Sequence, residues 1–141
     1  MFYNPQTCCQ IFIENSIHLA PAAKRGTVKC LPEESIQVTQ VKSYPGIVLI
    51  DGFVRVTIEY TDKKDNLQKR TDDIPFQCSM SRKDANEGDP FYVTGSTVLT
   101  QLSAEESTFG GPFNPEIAEP SLAFQFNEQK IIMICIRKKT A

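Results

Sequence analysis

Cys8, Cys9, Cys30, Cys78, Cys135 and His18 are the side chains of this sequence best suited to covalent or acid–base chemistry. Five cysteines cannot all pair within one chain, and none has the Cys-x-x-Cys or Cys/His spacing of a zinc site, so no metal is implied. Cys8 and Cys9 are adjacent. On an extended chain neighbouring side chains project to opposite sides, so these two sulfurs cannot readily bond each other and each must find a partner elsewhere. His18 stands among Ser16, Ile17 and Leu19 without a nucleophile motif, and reads as a partly exposed strand residue. Asp72-Asp73 and Glu105-Glu106 are carboxylate pairs, but strand neighbours face opposite ways and loop carboxylates are solvated. Gly110-Gly111 leads into Pro-Phe-Asn-Pro rather than a helix, so it is no phosphate loop. No catalytic residue and no cofactor is expected, and an enzyme is the least favoured class.

The elements that must position the cysteines are strands. From Phe53 the sequence alternates, with Val54, Val56, Ile58 and Tyr60 on one face and Phe53, Arg55, Thr57 and Glu59 on the other. Ile47 to Ile50 is a continuous apolar run, and Gly52 at the junction predicts a bulge or a close backbone approach. Further strands are expected at Thr7–Glu14, Ile17–Leu19, Thr27–Cys30, Ser35–Val41, Leu67–Thr71 and Ile74–Met80, then Phe91–Val93, Ser96–Ser103, Leu122–Phe126 and Ile131–Ile136. Val98 and Leu102 are expected to point inward. Loops are expected at Ala20–Gly26, Asp62–Asn66, Ser81–Pro90 and Asn127–Gln129. Ala104–Pro120 holds two glycines and three prolines, which predicts a long packed loop around Phe109 and Phe113. Eight to ten short strands without helix-period runs give an all-β class: an antiparallel two-sheet sandwich, jelly-roll-like, with an extended N-terminal segment.

The chain has 141 residues, enough for one domain that buries about two thirds of its unfolded surface. A formal charge of −2 with mixed signs offers no basic field for nucleic acid and no polybasic membrane patch. No run approaches the roughly 20 apolar residues of a membrane span. Met1 to Thr7 lacks a basic region followed by an apolar one, so export is not expected to use a signal peptide. Residues 1–13 read as a connector segment, uncharged up to Glu14 and carrying Phe2 and Tyr3, ahead of a β-domain over 14–141.

Gly46-Ile-Val-Leu-Ile-Asp-Gly-Phe-Val-Arg-Val-Thr-Ile-Glu-Tyr60, an acidic and lysine-rich turn, and Asp73-Ile-Pro-Phe76 together resemble the SPOCS domain of bacterial spore-coat and exosporium assembly proteins. The resemblance covers about Ser35 to Met80 and fades beyond it. Cys8-Cys9 before a β-domain resembles the N-terminal connector of endospore appendage subunits, whose jelly-roll units are joined along a fibre through such a pair. These resemblances imply a structural subunit of the spore surface, released by mother-cell lysis, that self-assembles into a fibre or lattice by strand addition. The alternative they imply is a non-polymerising adaptor that docks onto another coat or exosporium protein. For a polymer, parity permits two intersubunit bond types from four of the five cysteines. The expectation is that Cys8 and Cys9 bond Cys135 and Cys30 of neighbouring subunits, in an order left open, while Cys78 is a buried free thiol. Phe2, Tyr3, Phe109 and Phe113 are the expected interface residues.

Overall fold

The computed structural model describes residues 4–31, 35–116 and 118–140. Seven strands are present among them: β1 (Thr7–Lys24), β2 (Lys29–Cys30), β3 (Ser35–Tyr44), β4 (Ile47–Thr61), β5 (Leu67–Ser81), β6 (Phe91–Asn114) and β7 (Glu119–Lys138). Two antiparallel sheets face each other as a sandwich. One runs β1-β7-β6, and in the other β4 is flanked by β5 on one side and by β2 and β3 on the other. The all-β, two-sheet expectation is met, with fewer and longer strands than the eight to ten short ones anticipated.

Strand β4 sits at the centre of its sheet because its period-2 pattern is unbroken. Val48, Ile50, Val54, Val56, Ile58 and Tyr60 all turn inward and are buried. Covering each aliphatic side chain stabilises the sandwich by about 1.5–3 kcal/mol. Gly52 keeps the same face within that series. A Cβ there would overlap the Gln37 carbonyl oxygen and the Phe76 ring, so β3 and Phe76 occupy the volume a side chain would need. The bulge itself lies across the ladder in β3, between Val38 and Gln40, rather than in β4. Tyr60 closes the inner row: its hydroxyl donates to the Pro21 carbonyl at 2.7 Å, and burial raises its pKa.

The β4–β5 turn is organised by Asp62. Its carboxylate accepts hydrogen bonds from Gln68 Nε2 (2.8 Å), Asn66 N (2.9 Å) and Lys64 N (2.8 Å), which hold its pKa below the usual carboxylate range. Beyond it, Leu67–Thr71 and Ile74–Met80 form one strand, with Pro75 at the outer edge of the sheet, where no ladder donor is required.

Three loop expectations are corrected. Ala104–Pro120 is not a long loop: β6 continues to Asn114 and pairs with β7 as far as Asn114 opposite Glu119. The breakers are absorbed by irregularities, including the shift between Gly110 and Phe113, with Gly111 at φ 79°. Asn127–Gln129 is interior to β7, where Asn15 and Ala104 flank Glu128 from the two sides. Ala20–Gly26 is strand as far as Lys24, although β1 loses register with β7 between His18 and Ala23. Leu102, expected inward, falls in the bulge between Gln101 and Ser103 and is exposed, whereas Val98 packs against the core.

Candidate assembly site

Strand β1 carries the adjacent cysteines and lies at an edge of its sheet, its ladder partner among the described residues being β7, with one further bridge from Ala23 to Asp62. Alternation sends the two sulfurs to opposite faces. Cys8 stands directly across from Cys135 on the outer face and forms a disulfide with it, at a Cα separation of 4.0 Å. Cys9 points into the sandwich and joins Cys78 of β5 in the opposite sheet, with Cα atoms 6.9 Å apart. A single dipeptide thereby ties the first strand to both sheets. Each bond spans a long stretch of chain, 127 and 69 residues, and restricting such loops in the unfolded state is worth about 4–5 kcal/mol apiece in the chain-entropy model.

Within one chain the cysteines pair differently from the set expected between subunits. Cys78 is not a solitary buried thiol; sharing the inner face with Phe76 and Met80 brings it within reach of Cys9. Cys30 enters neither bond. Its Sγ lies 3.0 Å from Glu128 Oε2 of β7, in the opposite sheet. Both disulfides lie within one chain. Residue 13 falls inside β1: Thr7–Lys24 is one continuous strand, and Ile13 pairs with Lys130 in the middle of it.

Ahead of β1 the backbone is held by Arg82. The guanidinium is buried, with only 3 % of its side chain exposed, and it bridges Asp84 on one side and the start of the chain on the other. It donates to Asn4 Oδ1 (2.7 Å), Thr7 Oγ1 (3.0 Å) and the Pro5 carbonyl, and sits 5.2 Å from the centre of the Phe91 ring. Asn4 is further fixed by Lys138, whose backbone accepts from Asn4 Nδ2 at 2.8 Å and donates to Oδ1 at 3.1 Å. The Arg82 hydrogen bonds hold the Asp84 carboxyl below the usual carboxylate range. Arg82 was hidden in a segment that reads as a polar loop, and no local pattern distinguishes it.

Phe109 and Phe113 lie near the end of the β6–β7 hairpin, both exposed, Phe113 at 65 %. Arg25 covers Phe109, its guanidinium carbon 3.7 Å from the ring centre, and also pairs with Glu119 at 2.9 Å. Phe2 and Tyr3 lie outside the described residues. His18 is exposed opposite Gln125. One member of each carboxylate pair is held in the fold: Asp73 takes a two-pronged hydrogen bond from Arg55 (2.8 and 3.1 Å), and Glu106 accepts from the backbone of Gly26 (2.7 Å) and Val28 (3.0 Å).

Sequence reading also missed a polar cluster inside the sandwich. The inner row of β7 runs Phe126, Glu128, Lys130, Ile132, Ile134 and Ile136, so Glu128 and Lys130 are buried among aliphatic neighbours. Lys130 Nζ lies 2.6 Å from Glu128 Oε1, an ionic contact rather than an aligned hydrogen bond, and Gln101 Nε2 donates to Oε2 at 3.1 Å. Extending the alternation of Ile132–Ile136 backwards through Glu128 would have revealed the pair.

Protein-family models, curated proteins and solved structures contain no match to this chain. Its chemistry therefore rests on the sites themselves: an edge strand with two sulfurs, a buried arginine that grips the segment before it, and an exposed aromatic hairpin end.

Proposed function

We propose that the chain is a structural subunit that self-assembles into a fibre or lattice at a bacterial spore surface, joined by exchange of β1 between neighbours and by intersubunit disulfides. The observation that carries this reading is the position of Cys8-Cys9 on an edge strand, each sulfur meeting a different strand. Any β1 that fits against β7 makes the same backbone ladder, whichever chain supplies it, so the contacts made within one chain also serve between two. The loss of register between His18 and Ala23 supplies the place where the exchanged strand would swing out. Exchange in one direction leaves each subunit with one strand given and one groove filled, and this propagates into an open filament unless it closes a ring. Made in trans, Cys8–Cys135 and Cys9–Cys78 bonds render that filament covalent. Stable disulfides belong to an oxidising setting, which suits an external structure. The spore surface enters through the SPOCS-like stretch Gly46–Tyr60 with Asp73–Phe76 and the appendage-like cysteine pair.

The test is to mix isotopically light and heavy chains, assemble them under oxidising conditions and sequence unreduced peptides. Exchange requires Cys8–Cys135 pairs of mixed label, together with filaments visible by negative-stain microscopy. Pairs of a single label throughout would reject it. One observation favours a second reading: both disulfides close within a single chain, as suits a monomeric adaptor that binds another coat or exosporium protein. That reading requires a clean monomer on a non-reducing denaturing gel.

A further inference from the structure

Three side chains that chemistry can join lie on one inner face. Asn15 of β1 is paired in register with Glu128 of β7, and Ile13 with Lys130, so Asn15 is the diagonal neighbour of Lys130 and the direct neighbour of Glu128. Opposed residues in an antiparallel pair have Cβ atoms about 5 Å apart and diagonal ones about 7–8 Å, within reach of a lysine stem. Lys130 Nζ is already turned toward this site by its 2.6 Å contact with Glu128, and both side chains are 98 % or more removed from solvent, with 1 % and 2 % exposed. Asn15 Nδ2 is buried without a hydrogen-bond partner among the described residues. A buried amide of this kind is costly to leave unsatisfied, and an amine next to a carboxylate in a dry site is the arrangement of a nucleophile with its base.

We infer that Lys130 and Asn15 form a side-chain amide cross-link, with Glu128 carrying the proton. Glu128 takes a proton from the Lys130 ammonium, and the neutral Nζ attacks Asn15 Cγ. Glu128 then returns a proton to Nδ2 as the Cγ–Nδ2 bond breaks. The new bond is Nζ–Cγ and the leaving group is ammonia. Of the three ammonium hydrogens, one stays on the new amide nitrogen, one completes the ammonia, and the third is released with it as the proton of ammonium. An amide replaces an amide, no electrons are transferred, and no oxidant, metal or second substrate is required. The neighbouring side chains hold the reactants together, which converts a sluggish bimolecular aminolysis into an intramolecular one. The result would fasten β1 to β7 by a link that reductants cannot open, beside the Cys8–Cys135 bond that they can.

The decisive measurement is the intact mass of the full-length folded protein after reduction and unfolding. The cross-link predicts a mass lower than that of the sequence by one ammonia. Fragmentation should give a branched peptide containing Asn15 and Lys130. Lys130→Arg and Asn15→Ala should each restore the full mass. Glu128→Gln, which keeps the shape and removes the base, should do so too, and a folded Glu128→Gln protein that still lost ammonia would overturn the role given to Glu128. Because the primary reading is on the unmutated chain, a variant that fails to fold does not obscure it. Full mass with linear Asn15 and Lys130 peptides overturns the proposal, as does an ammonia loss traced to ring closure at a lone asparagine.

Discussion

Arg82 reaches Asn4 across 78 positions of sequence, its Nη2 donating to Asn4 Oδ1 at 2.7 Å from a buried site behind the end of β5. The same guanidinium binds Pro5, Thr7 and Asp84, so one side chain decides where the segment before β1 lies. Arg82→Ala should destabilise the domain by about 1–3 kcal/mol, because it takes a charged donor away from several half-buried acceptors at once. It should also speed alkylation of Cys8 under mild reduction. Equal melting temperatures and equal labelling rates in the two proteins would contradict this role.

Acid should loosen the same clamp. Asp84 has its folded-state pKa lowered by the Arg82 hydrogen bond, and Asp89 by the Lys138 hydrogen bond. A depressed carboxylate contributes stability that is present above its unfolded value of about 4 and is lost as pH falls through the lower folded value. Melting temperature should therefore hold steady near neutrality and drop below about pH 4. Asp84→Asn should shrink that drop. An identical acid profile for the variant would show that other carboxylates dominate.

Gly52 tests the close approach of β3 and Phe76. Gly52→Ala places a methyl group against the Gln37 carbonyl, which is backbone and cannot rotate away. A loss of about 1–3 kcal/mol is expected, as for other overpacked sites, measured by denaturant unfolding. Trimming Phe76 to leucine in the same chain should relieve little of it, since the ring is only one of the two obstacles. Full rescue would place the strain on the ring instead.

At the hairpin end, Phe113→Ser should change monomer stability by less than about 0.5 kcal/mol because the ring is largely in solvent. Assembly, scored by filament length in negative stain, should fall sharply if this end meets a neighbour. Phe109→Ser removes the ring stacked under Arg25 and should cost the monomer somewhat more. A fall in monomer melting with assembly intact would assign both rings to the fold alone.

The cysteines separate by role. Cys8→Ser and Cys9→Ser each open a long loop and should lower stability in the oxidised protein by a few kcal/mol, an effect abolished by reductant. Cys30→Ser keeps a donor toward Glu128 Oε2, whereas Cys30→Ala removes one, so the alanine variant should be the less stable of the two. Thermal melts with and without reductant distinguish these outcomes.

The sequence by itself determined the all-β class, the inward row Val54, Val56, Ile58 and Tyr60, an irregularity at Gly52 that could be a bulge or a close approach, and the impossibility of pairing five cysteines in one chain. Each follows from short-range rules: alternation has period 2, a glycine amid apolar residues signals a bulge or a close approach, and parity needs only a count. It also showed that Cys8 and Cys9 must face opposite ways. Which sulfur each meets was decided only by the tertiary structure, because the partners arrive from β7 and β5, whose positions depend on register far along the chain. Gly110, Gly111 and Pro112 read locally as strand breakers, yet β7 supplies a ladder that spans them through a register shift. Glu128 reads locally as part of a turn and Lys130 as the residue after it, and the sandwich buries both because their neighbours Phe126 and Ile132 must face the core on the same row. Local pattern specifies the faces of a strand, whereas long-range pairing specifies its length and its partners.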